Sequence, residues 1–212
     1  MKDIIIIGAG GVGREVAFLI EQINEKEPTW NILGFLDDNP VIHNTYINGY
    51  RVIGEIDGIN TIPDVYVTCA LTGFEVKRKI VENLIKTNKK FANLIHPSVT
   101  ISSTNSLGEG VIIYPGVVMT TNISIGNYVV LSPNCGIGHE SVIEDYTSVL
   151  WNVNISGNVS VGMGCLLGTG STIIQNIKVG RETTIGAGAV VVNDLPERCT
   201  VVGVPAKIIK IF

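Results

Sequence analysis

Residues 131–167 read LSPNCGIGHESVIEDYTSVLWNVNISGNVSVGMGCLL, and in this stretch Leu131, Ile137, Ile143, Val149, Ile155, Val161 and Leu167 stand six residues apart. The spacing continues in both directions without insertion: every sixth residue from Ile95 to Val191 is Ile, Leu, Val or Met. Four residues after each aliphatic position comes a second class, mostly small or β-branched, including Val117, Cys135, Ser141, Thr147, Val153, Ser171 and Thr183, with Asn105 the main exception. Glycine recurs directly after the aliphatic position at Gly108, Gly126, Gly138, Gly162, Gly168, Gly180 and Gly186.

A six-residue period is neither that of a helix nor that of an alternating strand. It fits a flat-sided coil in which a short strand covers each side and a tight turn makes each corner. The aliphatic residue points inward from the side, the small residue fits where the chain bends, and glycine supplies backbone freedom at the turn. Three sides close a coil of eighteen residues. Successive coils stack at strand spacing and bury their apolar residues only against their neighbours. The hexads from Ile95 to Val191 build between five and six such coils. An ordinary β-sandwich would need period-two alternation and irregular turns, which this stretch lacks.

The chain changes character near residue 94. Before it, strand and helix signals alternate, which implies a small parallel sheet with helical crossovers. Ile4-Ile5-Ile6-Ile7 is a fully apolar strand, followed by the glycine turn Gly8-Ala9-Gly10-Gly11-Val12-Gly13. Val16, Leu19, Ile20 and Ile23 then predict a helix from Arg14 to about Glu25. Ile32–Leu36 and Val65–Ala70 read as further strands, and Val76, Ile80, Leu84 and Ile85 predict a helix from Glu75 to Thr87. The expected organisation is an α/β Rossmann-like half-domain over 1–93, an all-β coil domain over 94–195 and a C-terminal cap over 196–212.

Composition narrows the function classes. The 212 residues are 45% hydrophobic and 16% charged, so the chain buries a core and is not disordered. A formal charge of −4 argues against a protein-wide grip on nucleic-acid phosphates. No secretory signal and no membrane span are read, since Gly8 to Gly13 interrupt the first apolar run. Cys69, Cys135, Cys165 and Cys199 are far apart, form no CxxC and have no His at ligand spacing, so reduced thiols in a cytoplasmic protein and no metal site are expected.

The glycine turn matches the dinucleotide fingerprint Gly8-x-Gly10-x-x-Gly13, with the acidic pair Asp37-Asp38 after the next strand. It reads as an anion held on a helix N-terminus by Gly11, Val12 and Gly13, with the carboxylates of Asp37 and Asp38 reaching ribose, base or an amino group. Gly54 is a weaker candidate for the same site. Some 90 residues build only half of a doubly wound fold, which suits a nucleotide-linked sugar better than NAD.

Hexads such as Ile125-Gly126-Asn127-Tyr128-Val129-Val130 and Val161-Gly162-Met163-Gly164-Cys165-Leu166 resemble the hexapeptide repeat of left-handed parallel β-helix acyltransferases. Together with the N-terminal half-domain, the whole chain resembles the bacterial sugar acetyltransferases grouped with sialic-acid O-acetyltransferase and the UDP-4-amino-sugar (bacillosamine-type) N-acetyltransferases. The resemblance implies a homotrimer that transfers acetyl from acetyl-CoA to a sugar amine. In that family a His followed by Asp or Glu at this point of the helix is the general base, which here is His139-Glu140.

The chemistry agrees: a thioester is already activated, so a base near neutrality and a fixed N–H for the oxyanion suffice. Cys135 as nucleophile is the alternative, but it occupies an inward hexad position. By the same resemblance acetyl-CoA lies between neighbouring subunits, at Ser148, Gly157, Thr169 and Ala187, and Lys207 sits near its adenine and 3′-phosphate. The family often has a second His where Ser148 stands and a His in the glycine turn where Val12 stands. Two other functions remain open: O-acetylation of a sialic acid or related sugar, and a non-catalytic nucleotide-sensing scaffold. Of the other histidines, His43 is expected as a solvated surface group and His96 in a structural role.

Overall fold

The computed structural model describes Met1–Phe212. The chain divides into two compact units, Met1–Leu71 with Glu75–Leu94, and Thr72–Phe74 with Ile95–Phe212.

The first unit is a six-stranded sheet with two helices. In chain order its elements are β1 (Lys2–Ile7), α1 (Gly11–Lys26), β2 (Trp30–Leu36), β3 (Tyr46–Ile47), β4 (Tyr50–Gly54), β5 (Tyr66–Cys69), α2 (Phe74–Ile85) and β6 (Lys90–Phe91). The strand order is β3-β4-β2-β1-β5-β6, parallel except for the β3–β4 hairpin. β1 lies inside the sheet between β2 and β5, which explains the run of four isoleucines, Ile4 to Ile7, all fully buried. Sequence order reverses about β1, so the carboxyl ends of the strands open a crevice there, at the start of α1. α1 buries Val16, Ala17, Leu19 and Ile20. It starts at Gly11 rather than at Arg14 because the last glycines of the turn enter its first turn. β4 was not legible as a strand: its five residues include Arg51 and end at Gly54, so no apolar run marks it.

The second unit is a three-faced left-handed coil of two-residue strands. The first face carries Leu94–Ile95, Ile112–Ile113, Val130–Leu131, Ser148–Val149, Leu166–Leu167 and Thr184–Ile185. The second carries Val118–Met119, Gly136–Ile137, Asn154–Ile155, Thr172–Ile173 and Val190–Val191. The third carries Ser106–Leu107, Ser124–Ile125, Val142–Ile143, Ser160–Val161 and Lys178–Val179. Each strand pairs in parallel with the strand eighteen residues on, for example Gly136 with Asn154 and Ile137 with Ile155. The aliphatic positions from Ile113 to Val191 point inward and are buried; Ile95, Ile101 and Leu107, at the open end, are only partly so. Beyond residue 195 the tail does more than cap. Cys199–Val202 extends the first face in parallel, and Lys207–Ile211 folds back on it antiparallel.

The role of the recurrent glycines differs from expectation. The left-handed corner residues stand three positions after the aliphatic residue: Asn122, Tyr128, Asn134, Glu140, Tyr146, Asn152, Asn158, Asn176 and Glu182 all have φ between 56° and 64°. The glycine directly after the aliphatic residue is needed for a different reason, the closeness of the next coil. A Cβ on Gly138 would lie 2.5 Å from the Gly157 nitrogen, and one on Gly126 would lie 2.6 Å from the Asp145 nitrogen. Coil stacking, not turn conformation, keeps these positions bare.

Candidate active site

His139 stands on the edge where the second face turns into the third. Its carbonyl accepts the Asn158 N–H at 2.7 Å, and the Glu140 N–H donates to the Thr121 carbonyl at 3.1 Å, so this turn is fixed to the coils on either side. The left-handed backbone at Glu140 (φ 56°) brings its carboxylate back to the neighbouring ring, and Oε2 accepts from His139 Nδ1. Both side chains face solvent, 63% and 51% exposed. The other carboxylate oxygen, Oε1, accepts from the Asn122 side-chain amide at 3.0 Å. Those two donors, Asn122 first and His139 second, hold the Glu140 carboxyl below its ordinary range.

A carboxylate can only accept, so Nδ1 carries the proton and the Nε2 lone pair is left for chemistry. Nε2 lies over Gly157, eighteen residues on: a Cβ at 157 would sit 2.5 Å from it. The Gly157 N–H, partly exposed, finds no acceptor within the chain. A base with an open lone pair therefore stands beside an unused N–H donor, the two groups that acyl transfer from a thioester requires.

Cys135 does not compete as a nucleophile. It is buried, its thiol donates to the Leu150 carbonyl at 3.0 Å, and burial pushes its pKa up to about 11.

The remaining coil candidates are scattered over the coil. Gly157 shares the edge of His139, whereas Thr169 and Ala187 stack on the edge between the first and second faces, exposed and eighteen residues apart. The whole second face separates the two edges. Lys207 begins the last, exposed strand. Ser148, where the absence of the second His leaves only a backbone contact to expect, lies inside the coil wall. It is fully buried, its N–H is committed to the Cys165 carbonyl and its hydroxyl donates to the Thr72 carbonyl at 2.9 Å, so neither donor is open to a ligand.

In the first unit the predicted residues converge at the carboxyl ends of β1, β2 and β4. α1 opens at Gly10 with no side-chain cap and no acidic residue in its first turn, which leaves the Gly11–Gly13 end free for an anion. Only glycine fits at 13, where a Cβ would lie 2.0 Å from the Gly8 carbonyl oxygen. Asp37 is a brace: Oδ2 accepts the Ala9 N–H at 2.8 Å and Oδ1 the Asn39 N–H at 2.9 Å, and its own N–H donates to the Gly54 carbonyl at 2.9 Å. Asp38 is exposed, with Oδ1 accepting the Ile56 N–H at 3.0 Å. It opens on a groove of about 980 Å³ between residues 56–61 and α2. His43, expected as solvated, is half-buried because its Nε2–H donates to the Asp37 carbonyl at 2.7 Å. His96 accepts from the Ser98 N–H at 3.1 Å through Nδ1, and burial lowers its pKa. No cluster of three His, Cys, Asp or Glu is placed to hold a metal, and no helix is long and apolar enough to cross a membrane.

Known proteins share this fold. Residues 3–84 match the family model of the PglD N-terminal domain. The acetyltransferase domain of PglB from Neisseria gonorrhoeae FA1090 superposes with a TM-score of 0.91 at 30% identity, covering 99% of this chain and 100% of that one. The chain belongs to the PglD-type hexapeptide-repeat sugar acetyltransferases. Both the resemblance and the fold expected from the hexads are thereby borne out. Another structure similar to this PglD-type chain is PerB from Caulobacter crescentus in complex with CoA and GDP-perosamine (TM-score 0.89, 27% identity, 99% and 98% covered). A curated relative, UDP-N-acetylbacillosamine N-acetyltransferase of Bacillus subtilis (strain 168), is 31% identical over 120 residues, 53% of this chain and 51% of that protein. The chain thus spans about half the length of this curated relative.

Sequence reasoning missed Asn122, the bracing role of Asp37 and the bond of His43. The first was findable, because residues eighteen apart stack and Asn122 stands eighteen before Glu140.

Proposed function

We propose that this protein transfers acetyl from acetyl-CoA to the amino group of a nucleotide-linked sugar, the 4-amino group of a UDP-linked deoxysugar. The observation that carries the reading is the exposed His139, its Nδ1 tied to Glu140 and its Nε2 open beside the unused Gly157 N–H. The sugar amine attacks the thioester carbonyl, and His139 Nε2 takes the amine proton. The Gly157 N–H stabilises the oxyanion. The intermediate collapses, the C–S bond breaks, and the leaving thiolate takes the proton back from the imidazolium. The α1 N-terminus takes the diphosphate, and Asp38 with the groove beside it takes the nucleoside or amino sugar.

The acting form is a homotrimer. Thr169 and Ala187 lie on one edge and His139 on another, so a site that draws on both edges takes them from two copies, and threefold closure makes three such sites. Four free, buried cysteines suit a reducing cytoplasm.

A GDP-linked acceptor is the second reading, favoured by PerB, whose similarity covers 99% of this chain. Thiol release from acetyl-CoA, followed over UDP-, GDP- and dTDP-linked amino sugars, separates the two. An alkali-stable product means an amide, whereas an alkali-labile one means O-acetylation. No turnover with any acceptor would favour a scaffold. His139→Ala is expected to cut kcat by roughly 10² to 10⁴ while the chain stays folded. Wild-type turnover in that variant would remove His139 from its role. Sedimentation as a monomer would remove the trimer.

A further inference from the structure

His139 and Glu140 are exposed, and an exposed pair of side chains is ordinarily loose, because solvent screens it and each chain keeps its rotamer freedom. A carboxylate that orients a base must itself be held. Here it is held from the coil before. Asn122 stacks eighteen residues below Glu140, with its side-chain amide on Glu140 Oε1 at 3.0 Å and its own N–H on Thr104 Oγ1 at 3.0 Å. Each oxygen of the carboxylate has one donor: Oε1 faces Asn122 and Oε2 faces His139 Nδ1. Gly157 leaves room above the ring. Along one edge of the prism the order is Thr104, Asn122, Glu140, His139 and Gly157, with the lone pair of Nε2 at its end.

We infer that Asn122 is a positioning residue, which fixes Glu140 so that Glu140 fixes the His139 ring with Nδ1 protonated and Nε2 bare. The inference rests on the reading of His139 as base.

Asn122 also occupies a left-handed corner (φ 58°), a conformation asparagine tolerates, so a purely conformational role has to be separated from the amide's role. Asn122→Gly does this, since glycine adopts the same backbone without strain and removes the amide. Asn122→Asp keeps shape and turn preference but sets a second acceptor against Glu140. The expected result is a fall in kcat of about tenfold or more for the Gly variant, since misplacement of a reacting group by an ångström costs up to about a hundredfold. A larger fall is expected for the Asp variant, with KM for acetyl-CoA unchanged in both.

The direct readout is the ¹⁵N shifts of the His139 ring at a pH where the ring is neutral. The wild type shows the single Nδ1–H tautomer and the Gly variant a mixture. Wild-type ring shifts in Asn122→Gly overturn the inference, whatever happens to kcat. The ring shifts thus decide the role of Asn122, while turnover of His139→Ala decides separately whether that ring is the base.

Discussion

Adding one methyl group at Gly157 tests the geometry of the base most directly. The Cβ of Gly157→Ala would sit 2.5 Å from His139 Nε2, 2.6 Å from Cε1 and 3.0 Å from Cδ2. Carbon contacts settle near about 3.5 Å, so the ring has to recede by about 1 Å or swing off Glu140. Either motion moves the lone pair away from the acceptor amine, and a displacement of that size costs about 10² in rate, or roughly 2.7 kcal/mol of barrier. The ceiling is the full worth of a positioned base, about 10⁴. Alanine keeps the N–H of residue 157, so the oxyanion donor is untouched and the loss reports on the base alone. Gly157 is not in the left-handed region and the ring that the methyl crowds is exposed, so the variant is expected to stay folded. The assay is thiol release from acetyl-CoA under saturating acceptor, paired with urea unfolding. A folded variant about a hundredfold slower is expected, and the His139→Ala, Gly157→Ala double variant should be no slower than His139→Ala. Wild-type turnover in Gly157→Ala, or additive losses in the double variant, would refute the placement of Nε2.

Asp38→Ala should raise KM for the nucleotide sugar roughly tenfold and leave acetyl-CoA binding unchanged, as expected for one hydrogen bond to a charged group; an unchanged acceptor KM in steady-state kinetics would exclude Asp38 from the site. Asp37→Ala removes the acceptor of two backbone N–H groups and should cost about 2 kcal/mol in urea unfolding; a loss below about 0.5 kcal/mol would show that the glycine turn needs no brace. Lys77 is fully buried in α2, and desolvation lowers its pKa to about 8, while Cys69 is pushed up to about 12. The unfolded chain then holds a Lys77 proton that the folded chain lacks between pH 8 and 10.5, so this lysine makes stability rise with pH across that window, by about 1.4 kcal/mol per unit. The buried thiols act in the opposite sense above pH 9, since they ionise first in the unfolded chain. Wild type minus Lys77→Met should isolate the rise, and parallel curves for the two proteins between pH 8 and 9 would contradict it.

The coil was legible because each of its inward side chains answers to one periodic constraint. Ile137, Ile143 and Val149 have no freedom to be polar, and the period shows it. The half-domain was legible through Ile4 to Ile7 and the glycine turn, where burial on both sheet faces and backbone contact leave few residue choices. β4 escaped because only Val52 of its five residues is buried, and half-buried positions tolerate polar side chains. At the site, His139-Glu140 was visible as a pair, but whether neighbours on a turn converge depends on a backbone dihedral, and the left-handed φ of Glu140 settles that. The burial of Ser148 was not legible, because spacing locates a residue along the coil without telling whether its surface is covered. The two backbone donors on Asp37 were not legible, because composition cannot tell a carboxylate that braces a turn from a free one.

The fixed coil length governs which changes in chain length this protein can survive. Because Asn122 meets Glu140, and His139 meets Gly157, only through an offset of eighteen, deleting a single residue between Asn122 and Gly157 would slip every later side chain past its partner and turn the aliphatic ones toward water. Removing one whole circuit from the C-terminal half, such as residues 166–183, would shorten the prism and leave the His139 edge in register. Length in such a molecule can be inherited only in whole circuits.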